Sequence, residues 1–138
     1  MSTLVKVLTT IASLISLGFG VWHFFVPRLW DWYSYMDPDA TELVVAVRAI
    51  NVFFSLSLAL FGVINILFVY VPSVDRFSVI VMLSATSILW LTRAILQIVY
   101  PQGSMNPALQ YGMLATFIVV TVCYITSLCL VVLQTNGG

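Results

Sequence analysis

The sequence predicts an all-α integral membrane protein: an antiparallel bundle of four transmembrane helices. Three observations predict it. Of the 138 residues, 62% are apolar and only 7% charged, with a mean hydropathy of +1.10. A soluble domain carries about 25% charged residues to face water, so here lipid must be the solvent. The apolar residues fall into four stretches, about 4–26, 43–70, 77–100 and 108–133, each long enough to cross a hydrocarbon core of ~30 Å. Links containing Pro or Gly part the later stretches. In lipid each span must satisfy its backbone internally, which makes all four helices rather than strands. Short links then make neighbours antiparallel, and the length, 1–138, fits one domain.

The first stretch opens with Lys6 and runs apolar to Val26, a pattern that imitates a secretory signal. Its apolar length of about 20 residues spans a bilayer. It also ends in bulky Trp22, His23, Phe24 and Phe25 rather than a small-residue cleavage site. A retained helix stopping at Pro27 is the expectation. A polar, aromatic segment follows, RLWDWYSYMDPDATE, from Arg28 to Glu42. The second stretch, Leu43 to Tyr70, is long enough to tilt. The link VPSVDR turns the chain into the third, Phe77 to Tyr100, and PQGSMNP breaks it again before the fourth, Ala108 to Leu133.

Charge narrows the partners. Five basic residues balance five acidic ones, giving zero net charge, and no basic run exists, which argues against nucleic acid. Four spans put both termini and the VPSVDR link on one side, with Lys6 and Arg76. The opposite loops hold Arg28 and most of the acids. The positive-inside bias therefore predicts cytoplasmic N- and C-termini. Cys123 and Cys129 lie six residues apart on the last helix, point to different faces and form no CxxC pair. Both read as buried small hydrophobes.

The unusual residues converge. An ionised group at mid-bilayer costs at least ~2.5 kcal/mol, yet Arg48 and Arg93 interrupt apolar helices. At 1.5 Å per residue Arg48 lies about 9 Å beyond Glu42, Arg93 about 10 Å before Tyr100, and His23 roughly one turn before Pro27. Along an up-down-up-down path all three fall near the end carrying the acidic loop. Polar stripes extend the pattern: Ser13, Ser16, Gly20, His23 and Pro27; Arg48, Asn51, Ser55, Gly62 and Asn65; Ser84, Ser87, Trp90, Arg93 and Gln97. A thinner set on the fourth helix is Tyr111, Thr116, Cys123 and Thr126. Such stripes face other helices. Gly18, Gly20 and Gly62 would let backbones approach closely.

The functional reading is a pocket at the non-cytoplasmic end, with Arg48, Asn51, Trp90 and Arg93 as floor and His23 on its wall. Trp30, Trp32, Tyr33 and Tyr35, around Asp31, would form a lid. Paired guanidiniums favour an anion, a quinone carbonyl or a lipid headgroup. The structural alternative lets Arg48 and Arg93 snorkel, or pair with Asp31, Asp37, Asp39 or Glu42. The same aromatics then form an interface belt. One His and two separated Cys do not make the usual metal, haem or iron–sulfur sites. No acid lies deep in a helix to relay protons. GxSxG, phosphate-loop and HExxH patterns are missing, and no cofactor is identified.

Gly20-Val-Trp-His23-Phe24-Phe-Val-Pro27 resembles the G-x-x-H-F-x-x-P pattern of DoxX-like membrane proteins. An Arg entering the second helix (Arg48) and one leaving the third (Arg93) before a turn containing Gly103 are similar too. The resemblance implies a four-helix bundle and a loose link to subunits of membrane-associated oxidoreductases. Where many members carry an acid in the second helix, this chain has Asn51.

Two functions are expected from these features. The first is a non-catalytic accessory or scaffold subunit of a membrane complex, suggested by missing catalytic groups and the lack of extramembrane domains. The second is a binding or carrier protein for a small amphiphile, a quinone, lipid or anion, suggested by the His23, Arg48, Arg93 and Trp90 cluster. An oxidoreductase component in its own right ranks third. The partners are thus the lipid bilayer, other membrane subunits and a small amphiphilic ligand.

Overall fold

The computed structural model describes residues 1–134. Its four long helices are α1 (Thr3–His23), α3 (Thr41–Tyr70), α4 (Arg76–Val99) and α5 (Pro107–Leu133), with a short helix α2 (Val26–Leu29) and a 3-10 turn (Trp32–Tyr35) between the first two. All four are long and apolar enough to cross a membrane. The shortest, 21 residues, reaches about 31 Å at 1.5 Å per residue.

The predicted helix ends agree to within a few residues, and the differences have local causes. Asp75 caps α4 by accepting from the Ser78 N–H at 3.0 Å, and the Ser78 hydroxyl donates to the same carboxylate. These bonds hold the Asp75 carboxyl below its ordinary pKa, as expected of an ionised N-cap. Asn106 caps α5, its Oδ1 accepting from Ala108 at 3.0 Å and Leu109 at 3.3 Å. Pro107 then takes the first helical position, where no N–H is needed. The first helix departs most from expectation. α1 stops at His23, four residues before Pro27, which itself lies in the first turn of α2.

The helices form two sequential hairpins. α1 packs along α3 and α4 along α5, and the hairpins join where α1 meets α5. α3 and α4 touch only sparingly, leaving a seam on that side. Leu, Val, Ile and Phe side chains cover the outer surface, which fits a lipid environment. Inside, the polar stripes of three helices face one another as their spacing predicts. Ser13, Ser16, Gly20, Asn51, Ser55, Gly62, Asn65, Ser87, Trp90 and Gln97 are buried, and Ser84 is half-buried.

The fourth helix corrects the sequence reading. Its buried face is Phe117, Val120, Thr121, Tyr124, Ser127 and Val131, not the face of Tyr111, Thr116, Cys123 and Thr126. Cys129 is exposed and Cys123 only half-buried, so the two free cysteines are not both core residues. The Tyr124 hydroxyl lies 3.1 Å from Ser13 Oγ and 3.3 Å from Ser16 Oγ, joining α5 to α1 in the bundle interior.

Contact between α1 and α3 depends on two glycines. A methyl group on Gly20 would meet the Ser55 carbonyl oxygen at 2.7 Å and the Ala59 nitrogen at 2.8 Å. One on Gly62 would meet the Ser13 carbonyl oxygen at 2.7 Å. Each glycine therefore lies directly on the other helix's backbone. Gly18 has open space instead and takes no part. At the terminal end, Arg76 Nη2 donates to the Val131 and Val132 carbonyls at 2.6 and 3.0 Å. It thereby satisfies free carbonyls in the last turn of α5. Lys6 lies over the Tyr70 ring at 5.4 Å.

Two stability predictions follow from this packing. Gly20→Ala or Gly62→Ala must push backbones apart and should cost about 1–3 kcal/mol in reversible unfolding from mixed micelles. Gly18→Ala should not destabilise. In a double-mutant cycle, Tyr124→Phe with Ser13→Ala should show a coupling of about 0.6 kcal/mol, at most about 1.7, as interhelical hydrogen bonds in membranes do. Zero coupling would assign Tyr124 to packing alone.

Candidate functional site

The site is built around Pro27. A proline has no N–H, and its ring crowds the carbonyl four residues back, which here belongs to His23. That carbonyl loses its helical partner, and Asn51 of α3 supplies one, its Nδ2 donating at 3.3 Å. Asn51 is buried, so the break in α1 and the polar residue on α3 explain each other. Ser55, one turn further along α3, donates to the Asn51 carbonyl at 2.7 Å and lies 3.4 Å from His23 Nδ1.

Aromatic rings surround the His23 imidazole. Phe54 and Trp32 stand edge-on at 4.8 and 6.1 Å between centroids, and Phe19 is tilted against it at 5.7 Å. The second packing centre is Trp90, buried against Phe19 and Phe117 at 6.0 and 5.6 Å.

Arg93 is half-buried. Its guanidinium lies 4.3 Å from the Phe117 ring centre, and Nη2 donates to Gln102 Oε1 at 2.7 Å. Gln97, one turn along α4, holds the same loop by donating to the Gln102 carbonyl at 2.9 Å. Among the described residues Arg93 thus bonds an amide rather than an acid, and its guanidinium, with five N–H donors in all, borders an open space.

Two connected spaces meet at this residue. A rim cavity of about 390 Å³ is lined by His23, Trp32, Asn51, Phe54, Arg93 and Gln102 among others. A larger lateral cleft of about 960 Å³ occupies the α3–α4 seam, walled by Phe53, Phe54, Phe61, Leu89, Trp90 and Arg93. The two share Ile50, Phe54, Arg93 and Leu96. The cleft is almost wholly apolar, and Arg93 lies where it adjoins the polar rim.

The sequence-predicted residues divide. His23, Asn51 and Arg93 line the rim cavity, and Trp90 lines the adjoining cleft. Arg48 does not join them: it is exposed, with its guanidinium over the Tyr33 ring at 5.2 Å. The paired guanidiniums of the sequence reading are therefore one guanidinium. Trp32 walls the rim cavity, while Trp30 and Tyr35 line a neighbouring space. Tyr33 serves as the platform for Arg48. Asp31 is exposed and adopts a left-handed backbone, φ 47°.

Sequence reasoning missed Gln102, Phe19, Phe54 and Phe117. Gln102 had one available signal: Gly103, at φ +76°, turns the link back over the end of α4, where Arg93 and Gln97 share a face. The three phenylalanines had none that distinguishes them from other apolar residues of the spans.

Fold and site together define a four-helix bundle of membrane-spanning type, with a lipid-level cleft ending in a polar rim. The chain matches no family profile, no curated protein and no solved structure.

The separation of the arginines is testable by labelling. With Cys123 and Cys129 replaced by Ala, Arg48→Cys should react with a bulky water-soluble thiol reagent at least about tenfold faster than Asn51→Cys, since reactivity follows exposure. Equal rates would return Arg48 to the cavity.

Proposed function

We propose that this protein binds a small membrane amphiphile, admitting it sideways from the bilayer through the seam between α3 and α4. The apolar tail occupies the lateral cleft. The head, a phosphate or carbonyl able to accept hydrogen bonds, meets Arg93 at the rim. Ligand sites are mostly apolar concavities with a few convergent polar groups, and the cleft with its single guanidinium has that composition. The carrying observation is the half-buried Arg93, bonded to Gln102 instead of a carboxylate. A charge at that depth is retained against a desolvation cost, and an acceptor from a ligand offsets it.

The accessory or scaffold reading rests on groups the chain lacks, whereas the binding reading rests on a space it contains. Both are compatible with a ligand-binding subunit of a larger assembly, and the DoxX-like resemblance is proposed on the same footing. The orientation proposed has cytoplasmic termini, from Lys6 and Arg76, with the rim opening on the opposite face. The proposal includes no catalytic step.

Gentle extraction followed by native mass spectrometry tests it. The expected spectrum contains a protein peak with one small amphiphile attached. Arg93→Gln should lower its retention about tenfold, equivalent to about 1.4 kcal/mol and within the range of a charge-assisted bond. Arg48→Gln should leave retention unchanged. A wild-type spectrum without any adduct would rule the proposal out.

A further inference from the structure

A third cavity, of about 330 Å³, shares His23, Trp32 and Gln102 with the rim cavity but is closed by other elements. Its remaining walls include Trp22 from α1, Trp30 and Tyr35 from the first loop, and Ser104 and Asn106 from the second. The rings stand at steep angles to one another. Trp22 and Trp30 meet at 85° with centroids 5.6 Å apart, Trp22 and His23 at 81°, and His23 and Trp32 at 77°. Rings at such angles make corners, so the α1 and first-loop side of the space is aromatic, and Met105, Leu109 and Met113 complete the lining.

The chain is shaped to make this cavity. Asp31 sits between Trp30 and Trp32 in the left-handed region, φ 47° and ψ 46°, a conformation uncommon for non-glycine residues though less so for Asp. The reversal directs the indoles on both sides of it into one cavity. Strain of this kind persists where surrounding contacts hold it. Here the Ser34 N–H and hydroxyl both donate to the Asp31 carbonyl, at 3.1 and 2.8 Å.

Chemistry selects the occupant. Neither lysine nor arginine lines this cavity, in contrast to the rim cavity with Arg93. Aromatic faces carry negative potential, and a cavity lined by several rings attracts a cation that sheds its water easily. A primary ammonium brings three N–H donors that need acceptors. The amide oxygens of Asn106 and Gln102 are already occupied, by the backbone of α5 and by Arg93, which leaves the Tyr35 and Ser104 hydroxyls among the side chains of the lining. A quaternary ammonium brings no N–H at all and needs no such acceptors, and its methyl groups pack on the rings.

We propose that this cavity binds a quaternary ammonium group, supplied by a phosphocholine lipid headgroup or by a free choline-like cation. The site goes beyond the amphiphile cleft and does not depend on it, because Arg93 is not among its walls.

Two measurements on the intact protein in maltoside micelles test the proposal and separate the sources. Tryptophan emission is titrated with choline chloride and with ethanolamine hydrochloride. Native mass spectrometry then compares retention of phosphatidylcholine and phosphatidylglycerol offered in equal amounts. The expected results are a saturable emission change at least about fivefold more sensitive to choline, or a phosphatidylcholine preference of the same size, as cation–π contacts provide. The first outcome marks a free cation, and the second a lipid headgroup. Trp30→Leu removes a wall that only this cavity uses, and it should abolish either effect while the melting transition is retained. If that variant fails to fold, the wild-type comparisons decide alone. Equal responses to choline and ethanolamine together with equal retention of both lipids would overturn the proposal. So would an effect that survives in a folded Trp30→Leu protein.

Discussion

Between apolar helices immersed in hydrocarbon, the hydrophobic effect supplies little attraction, so close van der Waals approach and buried polar contacts must hold the bundle. In this protein the closest approach is between α1 and α3, where Gly20 and Gly62 each rest on the opposing backbone. The small residues Ser13, Ser55 and Ala59 lie at that interface. Everything at the rim is set by it. With the two helices farther apart, Asn51 would not reach the His23 carbonyl, and Phe54 would not stand against the imidazole. A bulkier residue at either glycine would therefore disturb the pocket as well as the packing.

The order of packing around the ring sets where the proposed amphiphile would enter. α1 is gripped on both sides, by α3 and by α5, whereas α4 leans on α5 and leaves α3 almost free. The gap is walled by phenylalanine, leucine and tryptophan at bilayer depth, and its charged group is at one end. That arrangement matches an amphiphile's own polarity, apolar along its length and polar at its tip. Gln97 and Gln102 hold the second loop against Arg93, so the polar end is fixed by hydrogen bonds while the apolar side opens to lipid.

Much of this was legible in the sequence, because hydrocarbon leaves few options. Four long apolar runs must be helices, and the punctuation by Pro27, Pro101, Gly103 and Pro107 locates their ends to within a few residues. The inward stripes on three helices were readable because polar residues recur there at helical spacing. On the fourth helix the same rule selected the wrong face. Thr121, Tyr124 and Ser127 also recur at that spacing, and choosing between the two sets requires knowing which face meets α1. Pro27 was read as a helix end; its actual effect, freeing the His23 carbonyl four residues earlier, needs the partner on α3 to become visible. Arg48 misled for a related reason. Depth along a helix can be counted from sequence, but the direction around it depends on a neighbour, and Tyr33 draws this side chain outward.

The Tyr124 hydroxyl between Ser13 and Ser16 has a consequence for biogenesis. The chain emerges from the ribosome as one hairpin, α1 with α3, followed by a second, α4 with α5. Until α5 is inserted, Ser13 lacks this partner, while Ser16 can return its hydroxyl to the Ala12 carbonyl. The second hairpin therefore completes the polar interior of the first.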